Sequence, residues 1–359
     1  MIKMEISKEN KKLLKRLLDT KETNMNVADI LLYVFQNEIH PFKNEIDYII
    51  KEKKVNETQA LYIWLMDRLE LNLDYDENLR LCNKYFLANI NKEEIKKYME
   101  NPYVKAISNI NIVDKNYSLK MLSYAPYQLF PLNDFYIDDK DFFAELTPLG
   151  YFDKKYTYLA LLQKRRIWMS LNPNEINTME PHIARAKGNI LVLGLGLGYF
   201  PYMCSLKKEV KSITIIERDP KIIELFENNL LPIFPNKNRI KIICEDAISF
   251  LSDKHDFDYI FADLWHDALD GLEMYLMLKN LEIGYQLNMS YWLENSFGAL
   301  LRRIALSVLN NEKELLKDSP IDKIHQLYES RIKGDNLLSD LSSDNLLDLL
   351  INKKAFAKP

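Results

Sequence analysis

The stretch Gly188–Asp219, GNILVLGLGLGYFPYMCSLKKEVKSITIIERD, decides the fold. Ile190 to Leu193 is a short, continuous apolar run, the pattern of a parallel strand buried on both faces. It ends in Gly194-Leu195-Gly196-Leu197-Gly198. A helix is expected from Tyr199 to about Leu206, and a second β-rich run, Ser212 to Ile216, ends in Glu217. The order is strand, glycine turn, helix, strand, acid. Without Cβ atoms the turn can be tight, and a ligand can approach its backbone. An acid at the tip of the second strand can accept both hydroxyls of a ribose. Gly194, Gly196, Gly198 and Glu217 are therefore candidate ligands of a nucleoside. A dinucleotide fingerprint would read G-x-G-x-x-G; here the spacing is G-x-G-x-G, with Tyr199 where the last glycine would stand.

Two later stretches extend the pattern. Arg239 to Ile243 (RIKII) reads as a third strand, followed by Cys244-Glu245-Asp246-Ala247, with a helix beginning at Ala247. Phe257 to Asp263 (FDYIFAD) reads as a fourth strand with an acid at its carboxyl end. From Gly188 to about Asp267 the chain resembles the class I S-adenosylmethionine-dependent methyltransferase superfamily, and within it the spermidine synthase-like branch. The resemblance implies an α/β fold with a Rossmann-like, doubly wound parallel sheet in the order 3-2-1-4-5. It implies S-adenosyl-L-methionine as the cofactor, Asp246 and Ala247 at the adenine, and Asp263 facing the substrate.

Transfer from a sulfonium donor is a displacement at carbon, so the protein mainly positions an unprotonated nucleophile. Asp263 and His266 are the candidate catalytic residues, since imidazole ordinarily titrates near neutrality. Trp265 and Asp267 are candidates for substrate binding, with Asp267 placed either to orient His266 or to meet a cation. Against the family's pattern, Leu197 stands where spermidine synthases carry the acid of GGGDG. Asp263-Leu264-Trp265-His266-Asp267 also lacks the proline of D-x-x-D-P and has its second acid one place late. These departures favour methyl transfer to an unidentified acceptor, with Leu197 selecting the intact methionine tail. Aminopropyl transfer from the decarboxylated donor, or a non-catalytic nucleoside-binding scaffold, are the alternatives.

The 359 residues are enough for two or three domains. A formal net charge of -4 implies no broad attraction to nucleic acid. A small-molecule substrate is the expected partner, without nucleic acid or membrane, and a homodimer is allowed. Cys82, Cys204 and Cys244 lie far apart and form neither a disulfide framework nor a metal motif, so each is expected to be a small buried apolar residue. No apolar run has the length of a signal peptide or a membrane span, which suggests a cytoplasmic protein.

Residues 1–112 read as a helical N-terminal domain, in which Ser7 starts one helix and Val27 to Gln36 and Thr58 to Leu69 give further apolar faces. Residues 113–187 read as a β-rich hairpin segment with a helix leading into the first parallel strand, where His182 is expected to be an interface residue. No site residue is carried over from Trp168 to Ile176. Residues 188–310 form the Rossmann-like domain, with a possible fifth strand at Asn288 to Leu293. Residues 311–359 read as a helical extension, and sixth and seventh strands are not visible in the sequence.

Overall fold

The structure, a computed structural model, describes residues 6–108, 110, 117–163, 166–252, 256–312, 319–332 and 334–351. Five strands form the central sheet: β1 (Gly188–Leu193), β2 (Val210–Glu217), β3 (Ile240–Cys244), β4 (Tyr259–Ala262) and β5 (Met289–Tyr291). All pairings are parallel and the order is β3-β2-β1-β4-β5. This is the doubly wound arrangement expected, and it reverses direction between β1 and β4, which opens a crevice at the carboxyl ends of those two strands. Ile190, Leu191, Val192 and Leu193 are all buried, because β1 has a strand on each side and helices cover the sheet. No sixth or seventh strand joins this sheet among the described residues.

The turn after β1 is held in a shape that side chains would obstruct. Gly194 has φ +93°, and a Cβ there would lie 2.0 Å from the main-chain oxygen of Asp263. Gly198 has φ +78°, and a Cβ there would lie 2.4 Å from the Phe226 ring. The helix Tyr199–Ser205 follows directly.

Ahead of this sheet lies an antiparallel one, Tyr117–Tyr124, Tyr156–Gln163 and Arg166–Ser170. Its last strand brings Met169 over the glycine turn, with Sδ 3.9 Å from where a Gly196 Cβ would be. The chain then passes through Asn172, whose side chain caps the lead-in helix Pro173–Arg185. His182, on that helix, packs on Phe261 of β4 with ring centroids 4.8 Å apart, the interface position expected. Burial, reinforced by nearby Arg185, lowers its pKa to about 4.

The apolar face from Val27 to Gln36 shares one helix with Leu14 and Leu17. One helix runs from Lys8 to Gln36, capped at Ser7. The polar stretch from Thr20 to Asn26 serves as a junction. Buried Asn24 donates to the Phe143 carbonyl (3.0 Å) and accepts from Tyr85 (2.9 Å) and from the Glu145 amide (3.0 Å). Lys21 reaches Ser307 (2.7 Å) and Glu312 (2.6 Å). Leu14 and Leu17 of this helix belong to the same apolar core as β1, whereas Val27, Leu31 and Val34 belong to a second cluster that includes Leu149 and Tyr151. Ile90–Lys92 also pairs with Leu149–Tyr151. Packing therefore crosses the line drawn between residues 112 and 113, which itself falls among residues outside those described.

Cys82 and Cys204 are buried as expected, but Cys244 is exposed, because it ends β3 at the edge of the sheet. Among the described residues no helix is long and apolar enough to cross a membrane.

Two glycine substitutions separate turn geometry from generic chain flexibility. Gly194→Ala is expected to destabilise the fold by about 3 kcal/mol or more, since the clash is with main chain and the φ is left-handed. Gly284→Ala, in a helix where an added Cβ meets nothing within 4 Å, is expected to stabilise by about 0.5–1 kcal/mol. Urea midpoints of the two variants check both; a tolerated Gly194→Ala would contradict the geometry of the turn.

Candidate active site

A cavity of about 430 Å³ lies at the carboxyl ends of β1, β2, β3 and β4, roofed by Trp168 to Leu171 of the antiparallel sheet. Its floor is the glycine turn. Gly194, Gly196, Gly198, Glu217, Asp246, Ala247, Asp263, Trp265 and His266 all line it, so the fold gathers these sequence-identified residues around one space. Asp267 does not line it.

Glu217 ends β2 and ties the turn to the sheet. Its Oε2 accepts from the Leu195 amide (3.2 Å) and its Oε1 from the Asp219 amide (2.9 Å). Each carboxylate oxygen can accept more than one hydrogen bond, so acceptor capacity remains for a diol. Asp246 caps the helix Ala247–Leu251, with Oδ1 accepting from the Ser249 amide at 2.9 Å. Ala247 is buried beneath it. From the N-terminal region, the Tyr103 hydroxyl donates to the Leu197 carbonyl and Asn101 donates to the Tyr199 hydroxyl (3.0 Å), bracing the turn from behind.

The loop after β4 departs from the sequence reading. Asp267 was expected to orient His266 or meet a cation, but its Oδ1 accepts from the amides of Leu269 (2.8 Å) and Asp270 (3.0 Å), closing a local turn. Asp270 takes the orienting role instead. Its Oδ2 lies 3.1 Å from His266 Nδ1, and its Oδ1 accepts from the His266 amide at 3.1 Å. Asp270, unlike Asp267, lines the cavity. His266 is exposed at the mouth, edge-on to Trp168 with centroids 5.1 Å apart. Trp265 touches the cavity but is largely core: it is buried, packs edge-to-face on Phe297, and donates to the Trp292 carbonyl at 3.1 Å. Trp292 in turn donates to Thr178 of the lead-in helix (2.9 Å).

Glu175 was missed in the sequence. It sits in the first turn of the lead-in helix, where the Asn172 side chain caps its amide at 3.0 Å. A glutamate at this position commonly reaches back to the capping residue. Here its carboxylate lines the cavity with Asp263. Neither carboxylate has a hydrogen-bond or ion-pair partner among the described residues. Burial raises the pKa of Asp263 to about 7. Burial, and then the charge of Asp263, raises that of Glu175 well above the usual carboxylate range. Among the described residues the cavity is lined by the acids Glu175, Glu217, Glu245, Asp246, Asp263 and Asp270, against one permanent cation, Arg218. Among the described residues no cluster of histidine, cysteine and acid side chains could hold a metal.

Residues 180–275 match the spermine/spermidine synthase domain. The segment therefore carries the class I S-adenosylmethionine-dependent methyltransferase-like fold in its spermidine synthase-like form. No curated protein matches the chain. Among solved structures, a spermidine synthase from Thermotoga maritima is similar at 13% identity, over 42% of this chain and 60% of that one, with a TM-score of 0.30. A spermidine synthase in complex with the transition-state analogue AdoDATO shares 14% identity, over 42% of this chain and 59% of that one, also with a TM-score of 0.30. A conserved hypothetical protein from Streptococcus pyogenes shares 16% identity, over 32% of this chain and 67% of that one, with a TM-score of 0.26. The chain thus spans about 60% of the length of the two spermidine synthases.

The raised pKa of Asp263 has a thermodynamic consequence of definite sign. The folded state holds a proton on Asp263 up to about pH 7, whereas the unfolded chain releases it near 3.8. Stability is therefore full below about pH 4 and falls as pH rises through 7. Asp263→Asn removes this penalty. The variant is expected to gain about 1–4 kcal/mol over wild type at pH 8 and almost nothing at pH 4. Denaturant unfolding at the two pH values checks this; an Asp263→Asn protein less stable than wild type at pH 8 would show that the carboxylate is compensated.

Proposed function

We propose that the protein is a transferase that moves an alkyl group from an S-adenosyl-type sulfonium donor to an amine, with aminopropyl transfer from decarboxylated S-adenosylmethionine as the favoured reaction. One observation carries this reading: among the described residues the cavity is lined by six acidic residues and a single permanent cation, and three of those acids, Glu175, Glu245 and Asp263, have no side-chain partner. Such a site repels a donor carrying a free carboxylate and attracts one carrying only ammonium and sulfonium charge. The match of residues 180–275 to the spermine/spermidine synthase domain supports the same direction. The methyl transfer favoured by Leu197 thereby becomes the second reading. What still favours it is that Leu197 is aliphatic and that Arg218 lines the cavity, where it could meet a carboxylate. A scaffold without turnover is disfavoured, because two half-buried acids without a partner among the described residues weaken a fold and add nothing to passive nucleoside binding.

The residues fit such a donor. Glu217 retains acceptor capacity for the ribose, and one oxygen of Asp246 is uncommitted by its capping bond. The glycine turn leaves the backbone open to close approach. Asp263, with its pKa near neutrality, is suited to take a proton from the attacking nitrogen. The nitrogen lone pair forms the new N–C bond, the C–S bond breaks with its electrons returning to sulfur, and the proton passes from nitrogen to the Asp263 carboxylate. The Trp168 strand and the His266 loop cover the site and limit access of water.

Incubation with each donor and 1,4-diaminobutane tests the assignment. The expected result is 5′-methylthioadenosine formed from the decarboxylated donor, with kcat/KM rising as pH increases through about 7 and flattening above it. S-adenosylhomocysteine formed from the intact donor with a methylated product would establish the second reading. No nucleoside product and no nucleoside binding would overturn both.

A further inference from the structure

Resting on that reading, a second acid enters the site from outside the β-strand tips. We propose that Glu175 is a substrate-binding residue that anchors an ammonium group of the cationic substrate, so that Asp263 is left to deprotonate the attacking nitrogen. The two carboxylates come from different elements, the first turn of the lead-in helix and the carboxyl end of β4, and line one cavity. They are close enough for the charge of Asp263 to act on Glu175.

Among the described residues no cation neutralises them. Each lacks a hydrogen-bond or ion-pair partner among the described residues. The Glu175 amide is already capped by Asn172, and its carboxylate forms no capping bond in return. The charged and titratable groups around Glu175 are Asp263 from β4, His266 and Asp270 from the following loop, and Tyr124, which feels the Glu175 charge and is hydrogen-bonded to Tyr158. None is a permanent cation. Arg218 lies beside Glu217 at the tip of β2, on another wall of the cavity. Two half-buried carboxylates lining one cavity cannot both ionise at low cost until a cation arrives. An ammonium group supplies that cation and hydrogen-bond donors together.

This also accounts for Leu197. The position offers no acid; Leu197 is buried, and its carbonyl is taken by Tyr103. The acid missing from the glycine turn is supplied from the lead-in helix, which packs against the other side of the cavity.

Wild type, Glu175→Gln and Glu175→Asp would be titrated calorimetrically with 1,4-diaminobutane, with and without saturating 5′-methylthioadenosine. The titrations would be run at pH 7 in two buffers of different ionisation enthalpy. The expected result is that Glu175→Gln loses at least about tenfold in diamine affinity and most of the proton release that accompanies wild-type binding. Glu175→Asp keeps most of both, and 5′-methylthioadenosine binds all three proteins within about twofold. Thermal unfolding is expected to show Glu175→Gln at least as stable as wild type at pH 8, so the loss is not a loss of folding. Diamine binding by Glu175→Gln equal to wild type, or no diamine binding by wild type in either state, would overturn the proposal. Nucleoside binding is read separately: its absence would remove the transferase assignment, while the amine titrations would still decide the role of Glu175.

Discussion

The structure depends on how closely the chain is packed around Gly194 to Gly198. The Asp263 carbonyl occupies the space a Gly194 side chain would need, and the Phe226 ring does the same at Gly198. Glu217 holds the Leu195 amide from one side, and Tyr103 holds the Leu197 carbonyl from the other. One five-residue turn thus registers β1 against β2 and β4, and fixes the N-terminal region to the sheet. Because β4 contacts the turn through main chain, Asp263 cannot shift without moving the floor of the cavity. The position of Asp263 is set by the same contact that shapes the glycine turn.

Electrostatics then decide what the cavity accepts. A globular fold ordinarily pairs its buried charges. Here Arg303 meets Glu145, with Nε 3.1 Å from Oε1, and Lys279 meets Glu294 at 2.8 Å. Glu175 and Asp263, which line the cavity, are half-buried and have no such partner among the described residues. Burial raises the cost of ionising Asp263, and burial and then the charge of Asp263 raise that of Glu175, a cost that a cation entering the cavity would relieve. His266 and Asp270 form a hydrogen-bonded pair at the mouth, next to Trp168. The roof of the antiparallel sheet and the loop after β4 therefore meet over one end of the cavity.

The strands were legible because buried parallel strands write themselves as apolar runs, and the tip acids because each follows directly on such a run. Ile190–Leu193 and Tyr259–Ala262 are examples, and the strand order followed with them. What could not be read depends on side-chain direction. Asp267 and Asp270 are equally acidic and equally near His266 in sequence. Only the fold of the loop turns Asp267 back on its own backbone and leaves Asp270 for the imidazole. Glu175 occupies a position where a glutamate usually serves its own helix, so nothing local marks it as facing a cavity. Its one sequence signal is the start of a helix at Asn172-Pro173, which fixes the first turn from which Glu175 projects. The role of the polar run from Thr20 to Asn26 was not legible for a related reason. Its polarity serves partners more than 60 residues away in sequence, among them Tyr85 and Phe143.

The central claim is that this cavity holds an adenosyl thioether with its ribose on Glu217 and its sulfur toward Asp263 and Glu175. A crystal structure with 5′-methylthioadenosine tests it most directly. The account predicts both ribose hydroxyls donating to the Glu217 carboxylate, the adenine beside Asp246 and Ala247, and the methylthio group pointing at Glu175 and Asp263. A nucleoside bound elsewhere, or bound here with its sulfur turned away from those two carboxylates, would contradict it.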